Sequence, residues 1–446
     1  MKNISNEYRD KLRTAEEAVR AVKSGDWVDY GYGMAYPELL DAALAKRRDE
    51  LTDVKLRGIL IYGPLRTVES DPDQEHFIYN SWHCSGYERK LCDKGLCYFT
   101  PMIYRNIFWY YKHQVKCNVA FLCATPMDEH GYFNFSIASG VSRAFAEAAD
   151  IVIIEVNENL PHVYGAEGES IHISEVDMIV EGPHRPMMQI PGRTPGDVDR
   201  KIAENVIPYI KNGSTIQLGI GGVPDALGLM IADSDLHDLG MHTEFCTDSF
   251  AMLADSGKIT NAKKSVLKGK GVFGIAAGTD FMYDWLRDNP GVVASRMDWV
   301  NDPYVLAGMD DFISINGCVA VDLYGQVSSE SSGTRHISGT GGQLDFVTGA
   351  SMSEGGRSFL CMASSFTDKD GKRHSRIKPT FSGDIVTTPR SQAYYIATEH
   401  GVVNLSGRST WERAEGLISL AAPEFREELI AAAEKQRIWR RSNKIR

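Results

Sequence analysis

The stretch SGDWVDYGYGMAYPELLDAALA, beginning at Ser24, is echoed far along the chain by NGSTIQLGIGGVPDALGLMIA, beginning at Asn212. Each has a turn with glycine in second place, a short β-rich run and a G-x-G pair. Each also has a proline opening an amphipathic helix, where its missing N–H costs nothing. A short loop follows each helix, and then LTDVKLRGI from Leu51 in the first copy and LHDLGMHTE from Leu236 in the second. Chance similarity is the competing explanation, but a shared order of turn, glycines and helix is harder to mimic than composition. The pattern predicts a diverged tandem duplication of one α/β unit.

A chain of 446 residues exceeds the size at which one core keeps growing, which also favours two domains. The Pro/Gly-rich stretch EGPHRPMMQIPGRTPGD, residues 181–197, supplies a boundary, giving expected domains 1–190 and 191–446. Apolar runs such as DIVIIEV (150–156) and FISIN (312–316) alternate with helical stretches such as PELLDAALAKRRDEL, the pattern of α/β units around a largely parallel sheet. No apolar run approaches the roughly 18 residues a membrane span needs. The opening segment MKNISNEYRDKLRTAEEAVRAV has the spacing of an amphipathic helix and no signal-peptide core, so a cytoplasmic protein is expected.

The formal charge of −11 disfavours a nucleic-acid partner and leaves any anionic ligand dependent on a local basic or amide-rich pocket. Eight cysteines (Cys84, Cys92, Cys97, Cys117, Cys123, Cys246, Cys318 and Cys361) form no CxxC pair and have no histidine at zinc-finger spacing. Neither a disulfide framework nor a metal site is suggested by that spacing, and reduced core residues are expected.

Aligning the copies sets Glu244 of GMHTEFCTDSF against Ile59. A carboxylate where the sister copy has isoleucine is not needed by the fold, and ligands of open α/β sheets sit outside the carboxyl ends of strands. A second reading makes Thr243 a helix cap with Glu244 in the first turn.

Three glycine-rich stretches are candidate anion sites. GIGGVPD (219–225) follows a strand and opens a helix, so its amides can face an oxyanion; Pro224 stands where a dinucleotide fingerprint has its third glycine, which counts against a nicotinamide dehydrogenase. SGTGGQLDF (338–346) is a second such loop, with a bland flexible turn as its alternative. KGKGVFGIAAGT (268–279) joins a tight turn to lysines that either bind phosphates or solvate a face. SWHCSGYERK (81–90) holds His, Cys and Glu in one local run, which a core histidine and a salt-bridged helix explain more cheaply than catalysis.

QLGIGGVPDALG, GMHTEFCTD, WVNDP, SINGCVAVDLYGQVSSES, ISGTGGQLDFVTGA and YYIATEHGVVNLSGRS, in this order along nearly the whole chain, resemble the acyl-CoA:carboxylate CoA-transferases of the acetyl-CoA hydrolase/transferase family. SGDWVDYGYG, ELTDVKLRGI, YNSWHCSGYERK, PMDEHGYFNF, IIEVNENLP and the terminal IWRRSNK are most similar to the branch that exchanges CoA between butyryl-CoA and acetate; the 4-hydroxybutyrate branch shares the catalytic motifs but fewer of these. YGYGMAYPELL and LIYGPLRTVES depart from the butyryl pattern, in the half expected to help shape the acyl pocket.

The resemblance implies two similar tandem α/β domains of the CoA-transferase type, each with a largely parallel sheet flanked by helices, the second carrying the catalytic glutamate. It implies that Glu244 becomes the covalent carrier of acyl group and CoA, that Val223 and Gly342 offer backbone amides to the reacting carbonyl oxygen, and that Asn301 orients the glutamate. Glu399 matches a glutamate that contacts the pantetheine arm. Gly219, Gly221 and Gly222 of the first loop, Gly339, Gly341, Gly342 and Gln343 of the second, and Lys268 are the remaining candidate CoA contacts. No cofactor is expected beyond CoA as acyl-CoA substrate, and no metal; the partners are acetate or another short-chain carboxylate, without nucleic acid or membrane, in a homo-oligomer.

The chemistry explains the residue types. CoA exchange trades one thioester for another of nearly equal energy, so what is required is a nucleophile that can itself hold CoA. A carboxylate can, through an anhydride and then a thioester, whereas an acylated serine could not pass CoA onward. Phe245, Met241 and Phe273 are candidates to strip water from Glu244. Competing readings are an acyl-CoA hydrolase on the same scaffold and a non-catalytic nucleotide-binding α/β protein.

Overall fold

The computed structural model describes residues 4–442; Met1–Asn3, and Asn443 and Lys444 of the terminal motif, lie outside them. The chain forms two compact units, Met1–Pro191 with Val272–Val300, and Gly192–Gly271 with Asn301–Arg446. It therefore passes between units at three points rather than at a single boundary near 190.

The first unit is built on β1 (Trp27–Tyr32), α1 (Glu38–Ala45), β2 (Val54–Ile59), β3 (Phe77–Ser81), α2 (Gly86–Asp93), β4 (Tyr98–Phe99), β5 (Cys117–Ala124), β6 (Ala149–Val156) and β7 (Met178–Glu181). Its sheet runs β7-β6-β5-β1-β2-β3-β4, with every pair parallel. The central strands are buried almost throughout, as a sheet covered on both faces requires. Two short helical stretches, Ile4–Lys11 and Ala15–Ala18, replace the single opening helix, because Thr14 breaks the run with a capping box on Glu17.

The second unit repeats the plan with β8 (Thr215–Leu218), α3 (Gly222–Asp233), β9 (Gly240–Cys246), β10 (Phe312–Gly317), α4 (Gln343–Met352), β11 (Arg357–Cys361), β12 (Tyr395–Thr398) and β13 (Gly401–Asn404). Its strands are ordered β13-β12-β11-β10-β8-β9, parallel except for the β12/β13 hairpin. The repeat inferred from glycines and helices thus reappears as neighbours: β1 lies between β5 and β2, as β8 lies between β10 and β9. Register agrees as well. Trp27 faces Lys55 in one unit and Thr215 faces Gly240 in the other, which sets Ile59 and Glu244 the same number of residues further along. No helix among the described residues is long and apolar enough to cross a membrane.

Candidate active site

β9 continues through Cys246, and the following helix starts only at Asp248, after Thr247. Glu244 therefore belongs to the strand, and the helix-cap reading of Thr243 falls; the buried Thr243 hydroxyl instead donates to the Phe245 carbonyl at 3.1 Å. Residues preferring a pleated, half-buried surface, Met241, Thr243 and Phe245, carry the strand across the acid. Alternation puts Glu244 on the face of His242 and Cys246, while Met241 and Phe245 point to the other side. These two apolar residues, expected to dehydrate the carboxylate, thus back the strand instead. Phe273 is buried in the strand Gly271–Ala276.

Glu244 is the one partly open residue in an otherwise buried β9. Asn301 Nδ2 donates to its Oε2 at 2.6 Å, and the Gly342 N–H donates to the same carboxylate. Asn301 is itself fully buried, held between the strand residue and Asp345, whose Oδ2 accepts from the same Nδ2 at 3.3 Å. The next residue, Asp302, caps the helix Pro303–Ala307 by accepting from the Tyr304 N–H at 2.8 Å, which fixes the backbone beside Asn301. Gly342 is the N-cap of the ten-residue α4, so the carboxylate sits where helix amides and dipole favour negative charge. A Cβ on Gly342 would lie 1.9 Å from Glu244 Oε2 and 2.1 Å from Asn301 Nδ2, so only glycine lets this amide reach the acid.

Burial pushes the Glu244 carboxyl up to about 7, while the donors Asn301 and Gly342 pull in the other direction. The Asn301 side-chain carbonyl oxygen is buried with no hydrogen-bond partner.

The remaining sequence candidates divide by position. Gly219, Gly221, Gly222 and Val223 form the turn from β8 into α3, at the carboxyl end of the strand next to Glu244. Gly221 takes φ +128°, open to glycine and strained for other residues, and Val223 lies in the first turn, whose amides have no intrahelical acceptor. Gly222 abuts Asp199, whose Oδ2 would meet a Cβ there at 2.3 Å. Gly339 and Gly341 carry the chain into Gly342 and α4. The Gln343 side chain acts as a tie: its amide donates to Gly317 O at 2.9 Å and its carbonyl accepts from the Ser329 hydroxyl at 2.8 Å. Glu399 follows β12, on the same edge as Glu244, with both oxygens taken by Ser364, from the N–H at 2.8 Å and the hydroxyl at 2.5 Å.

Lys268 sits on an exposed loop whose neighbour Gly269 bonds to Asn261; Asn261 in turn bonds Leu239 and Met241, at the opposite end of β9 from Glu244. The structure brings Glu244, Asn301 and Gly342 together and leaves Lys268 apart from them. Asp345 escaped the sequence reading. Its only signal was an acid in the first turn after the glycine loop, which ordinarily reads as a dipole partner.

The N-terminal domain of the acetyl-CoA hydrolase/transferase family matches residues 1–191, and the C-terminal domain of that family matches residues 278–433. The chain is 49% identical to the butyryl-CoA:acetate CoA-transferase of Anaerostipes caccae over 99% of its own length and 100% of that protein. It is 36% identical to the 4-hydroxybutyrate coenzyme A transferase of Clostridium kluyveri, covering 96% of this chain and 98% of the relative. The crystal structure of RipA from Yersinia pestis superposes with a TM-score of 0.90 at 34% identity, over 98% of this chain and 100% of RipA.

Proposed function

Because the chain belongs to the acetyl-CoA hydrolase/transferase family, we propose that it moves CoA from butyryl-CoA, or a similar short-chain acyl-CoA, to acetate by a ping-pong route through Glu244. The observation that carries this reading is the Glu244 carboxylate itself, partly open at the carboxyl edge of a parallel sheet and gripped by one side-chain amide and one backbone amide. Near-full-length likeness to a butyryl-CoA:acetate enzyme supports the choice of donor and acceptor.

A Glu244 oxygen attacks the butyryl carbonyl carbon; a C–O bond forms, the C–S bond breaks, and CoA leaves as its thiolate with a mixed anhydride on the enzyme. The thiolate attacks the glutamyl carbonyl, butyrate departs, and CoA is left as a glutamyl thioester. Acetate then attacks that thioester, and the released thiolate takes the acetyl group, regenerating Glu244. No electrons are gained or lost and no proton need move, which is why a carboxylate with no histidine base suffices.

Asn301 holds one carboxylate oxygen, Oε2, so the nucleophile enters each step oriented. Each carbonyl attack develops an oxyanion, for which the amides of Gly342 and Val223 are the nearby helix-terminal donors; one well-placed donor is worth about 3 kcal/mol. Burial makes the carboxylate more basic, and so a better nucleophile once ionised.

The test is to incubate the protein with butyryl-CoA and labelled acetate and to quench with borohydride or hydroxylamine. Labelled acetyl-CoA, with a peptide modified at Glu244, is expected. Butyrate and CoA released without acetate would identify a hydrolase instead.

A further inference from the structure

The first unit gathers three cysteines that the sequence spacing left apart. Cys84 follows β3, Cys92 lies in the last turn of α2, and Cys97 immediately precedes β4. Their sulfurs all lie within 4.8 Å of one another, and the Cys84 and Cys92 sulfurs are 3.7 Å apart. Three thiolates about 2.3 Å from one zinc-class ion would stand about 3.8 to 4.0 Å apart, so the Cys84–Cys92 pair already has that spacing and the remaining separations need close by no more than about 1 Å.

We propose that Cys84, Cys92 and Cys97 form a binding site for a thiophilic divalent cation of the zinc class, with a water as fourth ligand. Cys84 and Cys97 are buried in the core of this unit, while Cys92 is partly open and gives the cation and its water a way in. The charge balance selects a dication. Three thiolates with M²⁺ leave one net negative charge, whereas a monovalent ion would leave two in an apolar setting that already contains the buried Glu88.

Neighbouring sulfurs and burial raise the Cys84 and Cys97 thiols above their ordinary range. Binding forms three metal–sulfur bonds and releases three protons to solvent, so affinity rises steeply with pH. Once formed, the site ties both flanks of α2 to the sheet edge and stabilises this unit.

The experiment uses the full-length, reduced protein and Cd²⁺ as an optical probe, followed by Zn²⁺ competition against a chromophoric chelator. One equivalent of Cd²⁺ with a sulfur-to-metal charge-transfer band, displaced by Zn²⁺, and a raised melting temperature with Zn²⁺ are expected. Cys92→Ser, Cys84→Ser and Cys97→Ser should each lose at least tenfold in affinity, while Cys123→Ala, outside the cluster, should bind as wild type. Transferase turnover in each variant reports that it has folded, since none of these residues belongs to the Glu244 site. Cys92→Ser is the variant least exposed to misfolding because that side chain is not sealed in the core. A wild type without the band, or a Cys92→Ser protein with an equal band and affinity, overturns the proposal.

Discussion

Glu244 and Ile59 stand at the same step of the same fold, and Glu244 is instructive beside two buried acids of the first unit. The first unit uses Glu155 and Glu88 to satisfy backbone. Glu155 accepts from the Leu39 and Leu40 amides at 3.2 and 2.9 Å, and Glu88 accepts from the Ile61 and Ser85 amides and the Tyr79 hydroxyl. Both are buried, and desolvation pushes them up to about 7, the same shift as Glu244 has. A raised carboxyl pKa therefore does not separate the proposed nucleophile from these structural acids. Access does: Glu155 and Glu88 are sealed with their oxygens engaged, whereas Glu244 remains partly open.

The same contrast holds one turn of register earlier. The first unit buries an ion pair, Arg57 with Asp29, at 2.9 and 2.7 Å, beneath the Trp27 ring. Where Asp29 stands in the first copy the second has Gln217, which exchanges neutral hydrogen bonds with Ser314 and Asn316 at 2.7 to 3.0 Å. At this position one unit has a charged pair and the other neutral amides and a hydroxyl.

The largest expected effect breaks the Glu244/Ile59 comparison directly. Glu244→Ala should lower kcat by on the order of 10⁴- to 10⁶-fold, as removal of a covalent nucleophile does, with no labelled glutamyl adduct in the trap. Next, Arg57→Met should cost about 3 to 5 kcal/mol in urea unfolding, because Asp29 is left buried and unpaired. Gln217→Met should cost about 1 to 3 kcal/mol, since only neutral groups lose partners. Equal losses would erase the distinction between the two units.

Gly342→Ala should reduce kcat by on the order of 10²- to 10³-fold, by displacing the donor beside Glu244, with acyl-CoA affinity less affected. Gly317→Ala, where a Cβ meets nothing within 4 Å, is the control and should retain activity.

The pH dependence sharpens the comparison further. Only ionised Glu244 attacks, so kcat/KM should rise with pH to a plateau above about 7. Asn301→Ala removes a donor that favours the charged form and should move that limb to higher pH in a rate profile. The sign for stability is opposite. A carboxyl raised from 4.5 to about 7 keeps its proton in the folded state, so stability falls as pH rises between those values and levels off above them. Glu244→Gln should accordingly melt higher than wild type at pH 8 while being inactive. The smallest effect belongs to the sister position: Ile59→Val should cost about 1 kcal/mol of stability and leave turnover intact.

Much of this was legible along the chain. Glycine turns, β-rich runs and helix openings are local signals, so the duplication, the α/β class and the glycine loops at the strand ends could be read from neighbouring residues. The alignment of Glu244 with Ile59 survived because pairing register follows from the length between turn and strand. Where two local rules competed, sequence alone left the choice open: TEFCTD satisfies a helix cap as well as a strand, and the strand that opens at Gly240 runs on through Cys246.

By itself, then, the sequence determined the repeated architecture and singled out the carboxylate proposed as nucleophile. Only the tertiary structure decided its company. Asn301 reaches Glu244 across 57 residues, Asp345 reaches Asn301 across 44, and three cysteines with no motif spacing converge beside α2. The physical reason is range. Turns and periodicity are set by bonded neighbours, but an amide placed within 2.6 Å of a carboxylate is set by how strands register and helices pack, which no short stretch encodes.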